Sequence, residues 1–147
     1  MAHLVFVFGT LKEGFPNFAI NRGTRVAGSF VTARPFPLYL VGERCSPWMI
    51  DQPGQGHVVA GQVFEVDGET LAQMDALERV DQPDGYRRLS IEVASAQDRQ
   101  GATMTVFAYL KPAQQFDAGA ARHGPLADYT LEHAALYRSR DAAAAGG

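Results

Sequence analysis

The sequence predicts an α+β protein: a small mixed β-barrel, or a strongly curved sheet, with flanking helices. Three observations carry this class. Short runs of β-forming residues recur from position 4 to position 110, separated by stretches rich in glycine and proline. A sustained helical period occurs once, at 67–79. No regular crossover helices separate the strands, which argues against a doubly wound parallel sheet. The chain has 147 residues, a length that suits one domain with a core able to fold unaided. That domain is expected over 1–140. The remaining 141–147 is alanine and glycine after Asp141, the composition of a flexible tail.

The elements follow in order. Residues 4–8 are apolar on both faces, so this strand is expected at the centre of the sheet. Residues 9–16 read as a loop and 17–22 as a short helix or turn. A strand is expected over 24–33; Pro35 and Pro37 then break the chain, and 38–41 resumes an extended pattern. Residues 46–50 are extended, because the residue before Pro47 avoids the helical region. A turn at 51–56 leads into a valine-rich strand at 57–66. The helix at 67–79 has Asp67 as its N-cap and Leu71, Met74 and Leu77 as its apolar stripe. Residues 81–85 end it with proline and glycine. Residues 86–94 alternate, with Leu89, Ile91 and Val93 on one face. A polar turn at 95–102 precedes a strand at 103–110. Beyond Pro112 the pattern weakens, and 129–138 reads as a terminal helix.

Composition excludes several functions. The net charge is −3 without a Lys/Arg cluster, so no nucleic-acid partner is expected. No apolar run approaches the roughly 20 residues of a membrane span. The single cysteine, Cys45, rules out an internal disulfide and fits a reducing, cytoplasmic location. The start, Met1-Ala2-His3, has no basic segment and no cleavage signal, which points away from secretion. Gly9 to Gly14 has P-loop spacing, but Phe15-Pro16 stand where Lys and Ser/Thr are needed. His3, His57, His123 and His133 show no ligand spacing, so no metal is expected.

Two places carry chemistry. The first strand stops at Gly9, and the polar turn after it leaves backbone N–H groups without ladder partners. Such groups can converge on an anion or a developing oxyanion. The second place is on the helix. At about 100° per residue, Glu78 falls only about 40° from the centre of the apolar stripe, whereas Glu69 points to solvent. Asp75 sits on the margin. An inward glutamate must be paired, hydrogen-bonded or protonated, and desolvation moves its pKa toward neutrality, where a general base works. The alternative is a small rotation that lets Glu78 pair with Arg79 or Arg88. Trp48, beside Pro47, serves as a pocket wall or as a core anchor. Tyr86 and Arg88, at i and i+2, either bound the same hollow or leave Arg88 in solvent.

These residues resemble a known family. Val7-Phe8-Gly9-Thr10-Leu11-Lys12, Gly42-Glu43 with Pro47-Trp48, Gly61-Gln62-Val63-Phe64-Glu65-Val66, Met74-Asp75-Ala76-Leu77-Glu78 and Tyr86-Arg87-Arg88 occur in order and spacing similar to the γ-glutamylcyclotransferase-like proteins. Among these, the γ-glutamylamine cyclotransferases are most alike. The likeness covers about residues 4–110. It implies a small barrel with flanking helices and a cofactor-free, intramolecular reaction. In that reaction the α-amine of a small γ-glutamyl substrate attacks its own γ-carbonyl, forming 5-oxoproline and releasing an amine. By resemblance, Phe8, Gly9, Thr10 and Leu11 hold the substrate and Glu78 is the base. The family usually carries tyrosine at Phe8; here the ring is kept and the hydroxyl lost. Leaving-group choice is expected from the loops at 43–57 and 111–130. Two other readings stand beside this one. One is a non-catalytic small-ligand binding module on the same fold. The other is an enzyme that removes a γ-glutamyl protecting group from a carrier-bound biosynthetic intermediate.

Overall fold

The computed structural model describes residues 2–138; the tail expected at 141–147 lies outside them. Among the described residues the strands are β1 (His3–Val7), β2 (Thr24–Arg25), β3 (Phe30–Thr32), β4 (Leu38–Val41), β5 (Ser46–Met49), β6 (Ala60–Val66), β7 (Arg87–Ser95), β8 (Thr103–Leu110) and β9 (Ala121–His123). The helices are α1 (Gly68–Leu77) and the short α2 (Leu131–Ala134).

Five strands close a mixed barrel in the order β1-β8-β7-β3-β6, with β6 returning to β1. The β1–β8 seam is parallel, placing Val5 opposite Phe107, and the other barrel pairings are antiparallel. A second sheet, β5-β4-β9, packs beside it. It is tied to the end of β8 where Lys111 N–H donates to Met49 O (2.8 Å) and Asp51 N–H to Lys111 O (2.9 Å).

β1 is apolar on both faces because both are covered. Phe6 and Phe8 join the barrel interior with Val63 of β6 and Val106, Ala108 and Leu110 of β8. Val5 and Val7 face the other way and pack with Phe64, Val66, Leu71 and Met74 under α1. This is the period of two expected of strands. Each such side chain contributes about 1.5–3 kcal/mol on full burial. Asp67 caps α1: its Oδ1 accepts from Thr70 N–H at 2.8 Å. That bond holds the Asp67 carboxyl below the usual carboxylate range.

Three expectations need correction. The strand expected at 24–33 is interrupted: β2 and β3 both pair with β6, but their register shifts by two residues around a turn where Gly28 has φ +95°. The valine-rich strand starts at Ala60, since His57 makes only an isolated bridge to Phe36. The terminal helix shrinks to α2, capped by Thr130, whose N–H donates to His133 Nδ1 (3.0 Å).

Tyr109 and Tyr129 are almost fully buried. Burial is the main cause that raises both phenol pKa values above the usual 10. In an alkaline titration followed by phenolate absorbance, Tyr109 and Tyr129 are expected to ionise well above the usual pH for a phenol. The unfolded chain gives up phenol protons near pH 10 while the folded chain keeps them. Stability is therefore expected to fall as pH rises above about 10. Ionisation of Tyr109 and Tyr129 near pH 10 with the fold intact would contradict this.

Candidate active site

The turn after β1 is fixed by its own carbonyls and side chains. Lys12 N–H donates to Gly9 O (3.1 Å), and Asn17 N–H to Thr10 O (2.8 Å). The Asn17 Nδ2 amide donates to Thr10 Oγ1 (2.8 Å), and Asn21 Nδ2 to Leu11 O (3.1 Å). The buried Lys12 ammonium donates to Asp128 Oδ1 (3.3 Å) and to the Tyr129 carbonyl, and sits over the Phe15 ring. Burial pulls the Lys12 pKa down, and Asp128 opposes that shift. These bonds occupy acceptors of the turn. Among the described residues, the N–H groups of Gly9, Thr10 and Leu11 donate to no protein acceptor.

Opposite the turn stands the end of α1. Arg79 N–H donates to Ala76 O and Val80 N–H to Asp75 O, both at 3.2 Å. This pair of bonds is a Schellman motif, and Arg79 takes its left-handed position with φ +55°. A glycine is usual there, so the backbone carries strain at this point. Glu78 is the C-cap. Its N–H donates to Met74 O (3.0 Å), and its carbonyl accepts from Tyr86 N–H (3.0 Å). Gly85 lies against this turn so closely that a Cβ there would be 1.7 Å from Arg79 O.

Between turn and helix end lies a cavity of about 410 Å³. Phe8, Gly9, Thr10 and Leu11 line it together with Glu78 and Tyr86. The Tyr86 hydroxyl donates to Pro47 O (2.8 Å), and Tyr109 completes this part of the wall. The Tyr109 hydroxyl donates to Asp75 Oδ1, and Arg88 Nη1 donates to Asp75 Oδ2, both at 2.7 Å. Asp75 is thus the acid of α1 built into a structural network. Arg79 Nη2 donates to Asp84 Oδ1 (2.9 Å), and the guanidinium holds the Asp84 carboxyl below its usual range. Both arginines proposed by sequence as partners for Glu78 are engaged by these aspartates.

Two expected site residues do not line the cavity. Trp48 alternates with Pro47 along β5; Pro47 takes the cavity side, and the Trp48 ring lies 4.2 Å from Lys111 Nζ instead. Arg88 pairs with Asp75 over the Phe107 ring. The i, i+2 relation to Tyr86 fails because Tyr86 precedes β7, which begins at Arg87, so strand alternation does not extend to it. Sequence reasoning missed Asn17, Arg44, Ser46, Arg79 and Tyr137 on the cavity wall. Only Asn17, in a polar turn seven residues from Thr10, carried a local signal.

Gly9 meets Pro47. A Cβ at Gly9 would lie 2.8 Å from Pro47 Cγ, and the proline ring cannot rotate away. Gly9→Ala is expected to lower kcat/KM by about 10–100-fold through displacement of the turn, with a melting temperature lowered by only a few degrees. Steady-state kinetics identical to wild type would show that the turn does not meet substrate.

Among the described residues no group of three or more His, Cys, Asp or Glu could hold a metal ion, and no helix is long and apolar enough to cross a membrane. A closed barrel thus carries, at one end, a glycine turn that faces a helix-end glutamate across one hollow. The family model described as "Gamma-glutamyl cyclotransferase, AIG2-like" matches residues 5–138, and the chain belongs to this family. It is 40% identical over 98 residues to the gamma-glutamylaminecyclotransferase of Rattus norvegicus, a match covering 63% of this chain and 64% of that protein. The Homo sapiens protein of the same name is 39% identical over 101 residues, covering 65% of each. The matched part of the chain thus spans just under two thirds of these relatives' length. In three dimensions the chain is similar to an AIG2-like protein from Mus musculus, with a TM-score of 0.73, 28% identity and 95% of each chain covered.

Proposed function

We propose that the protein is a cyclotransferase converting small γ-glutamyl amines or amides to 5-oxoproline and a free amine. One observation carries this reading: Glu78 and the turn at 8–11 line the same cavity. Its volume of about 410 Å³ suits a dipeptide-sized ligand.

The reaction balances within one substrate and one carboxylate. The substrate's α-ammonium, with a pKa of about 8 in the free ligand, gives a proton to Glu78. The freed nitrogen attacks the γ-carbonyl carbon, and negative charge develops on the γ-oxygen. The N–H groups of the turn at 9–11 accept that charge as an oxyanion site. The bond to the departing nitrogen then breaks as Glu78 returns that proton to it, and the second proton of the attacking nitrogen passes through Glu78 to the released amine, which leaves as an ammonium. Nucleophile and electrophile belong to one molecule, so holding it folded removes about 7–11 kcal/mol of the barrier. Each step moves a proton or transfers the acyl group within the substrate, so the chemistry calls for no cofactor. Phe8 supplies ring contact to the cavity without a hydroxyl.

Incubation with ε-(γ-glutamyl)-lysine and a panel of γ-glutamyl amines, read by mass spectrometry, tests the proposal. The expected result is 5-oxoproline and amine in equal amounts. Ligand binding without product would overturn it in favour of a binding module.

A further inference from the structure

We propose that Lys111 is a positioning residue for the reaction: its ammonium, clasped between the Trp48 and Tyr86 rings, fixes the spacing between Glu78 and the glycine turn. This rests on the cyclotransferase reading above and adds a residue that acts on the site without lining the cavity.

Lys111 is buried, and a buried ammonium needs partners. Its Nζ donates to Asp84 O and to Gln115 Oε1 (3.4 Å). It also lies 4.2 Å from the centre of the Trp48 ring and 4.6 Å from that of Tyr86. The faces of aromatic rings carry partial negative charge, so one cation between two rings holds both in place. The lysine is fixed from behind, because its backbone is bonded to β5 on both sides, at Met49 O and Asp51 N–H. Gln115 adds a second clasp on the same segment: its Nε2 donates to Pro83 O (2.9 Å) and Gly85 O (3.2 Å).

What the cation holds is a strut between the two halves of the site. Tyr86 N–H donates to Glu78 O (3.0 Å), and the Tyr86 hydroxyl donates to Pro47 O (2.8 Å). Pro47 in turn abuts Gly9, where an added Cβ would lie 2.8 Å from Pro47 Cγ. Glu78, Tyr86, Pro47 and Gly9 therefore form one connected line along the cavity wall. Trp48 follows Pro47 in β5, and Asp84 precedes Tyr86 by two residues. Lys111 thus grips the chain on both sides of the Tyr86–Pro47 bond. A Tyr86 ring released from the cation is free to tilt, and the base then moves relative to the N–H groups of the turn. A displacement of about 1 Å costs about 100-fold in rate.

Lys111→Met keeps an apolar stem of similar length and removes the charge. It is expected to lower kcat on ε-(γ-glutamyl)-lysine by about 10–100-fold, with KM little changed. Lys111→Arg, which keeps a cation for both rings, is expected to restore most of kcat. Amide NMR supplies a reading that needs no turnover: Lys111→Met is expected to shift the N–H signals of Gly9, Thr10 and Leu11. Should Lys111→Met fail to fold, Trp48→Leu removes one ring of the clasp and leaves the cation; the same shifts with a smaller loss of kcat are then expected. Unchanged kcat, a rise in KM alone, or shifts confined to residues 48, 84–86 and 115 would overturn the proposal, because Lys111 would then stabilise only its own surroundings. If wild type makes no 5-oxoproline, the reaction reading fails, and the amide shifts alone decide whether Lys111 sets the turn.

Discussion

Glu78→Gln is expected to lower kcat by about 10²–10⁴-fold, the range that a positioned general acid/base supplies. The amide has nearly the shape of the carboxylate but does not take a proton from an ammonium. Its backbone bonds, to Met74 O and from Tyr86 N–H, do not involve the side chain and persist. The melting temperature is therefore expected to stay within a few degrees of wild type. Binding of γ-glutamyl ligands should survive, because the turn at 8–11 and the arginines of the wall are unchanged. Glu78→Asp is the companion: it keeps the chemistry and withdraws the oxygen by about one bond length, a misplacement worth about 100-fold in rate. Single-turnover measurement of 5-oxoproline release separates the two. A Gln variant retaining a tenth of wild-type turnover would remove Glu78 from the mechanism.

The largest expected effect on stability comes from Gly85→Ala. The new methyl carbon would sit 1.7 Å from Arg79 O, 2.5 Å from Arg79 C and 3.1 Å from Glu78 O. These are backbone atoms of the Schellman turn and cannot swing aside as a side chain does. Either the 81–85 loop lifts off or the end of α1 unwinds. The expected cost is about 3 kcal/mol or more, lowering the melting temperature by about 6–12 °C. Activity should fall with it even below the transition, because the same displacement moves Glu78 from the cavity wall. Urea unfolding gives the stability change, and kcat/KM at 15 °C gives the effect on the folded enzyme. A variant as stable as wild type would show that the loop has room to relax.

What the sequence reveals depends on how local the cause is. The first strand, its glycine stop and the strand at Thr103–Leu110 are legible because alternation and punctuation act within a few residues. Asp67 is legible as a cap for the same reason. The helical wheel sets Glu78 near the apolar stripe, and the structure puts it on the cavity wall, although as the C-cap rather than inside the helix. Asp75, marginal on the wheel, lies beside the same wall, but its oxygens are taken by Tyr109 and Arg88. Those partners come from strands 34 and 13 residues away, beyond the reach of periodicity. For Trp48 and Arg88 the sequence leaves two readings open, because facing depends on where each strand begins and which of its sides is covered. β9 carries no pattern of its own; pairing with β4 creates it. Arg44 and Tyr137 reach the wall from a hairpin and a C-terminal segment that only tertiary packing brings together.

The parallel seam that sets Val5 beside Phe107 has a kinetic consequence. The β7–β8 hairpin closes a short loop and can form early, whereas β1 must find a neighbour about a hundred positions downstream. Closing so long a segment is entropically slow, and topologies rich in distant contacts fold late. The glycine turn and the end of α1 are brought together by the pairing of β1 with β6 and the packing of α1 on β1's outer face, whereas the wall that β8 supplies through Tyr109 is added only when that distant join is made. Half of the ligand's enclosure is thus local to the first 78 residues, and the other half waits on the slowest contact in the fold.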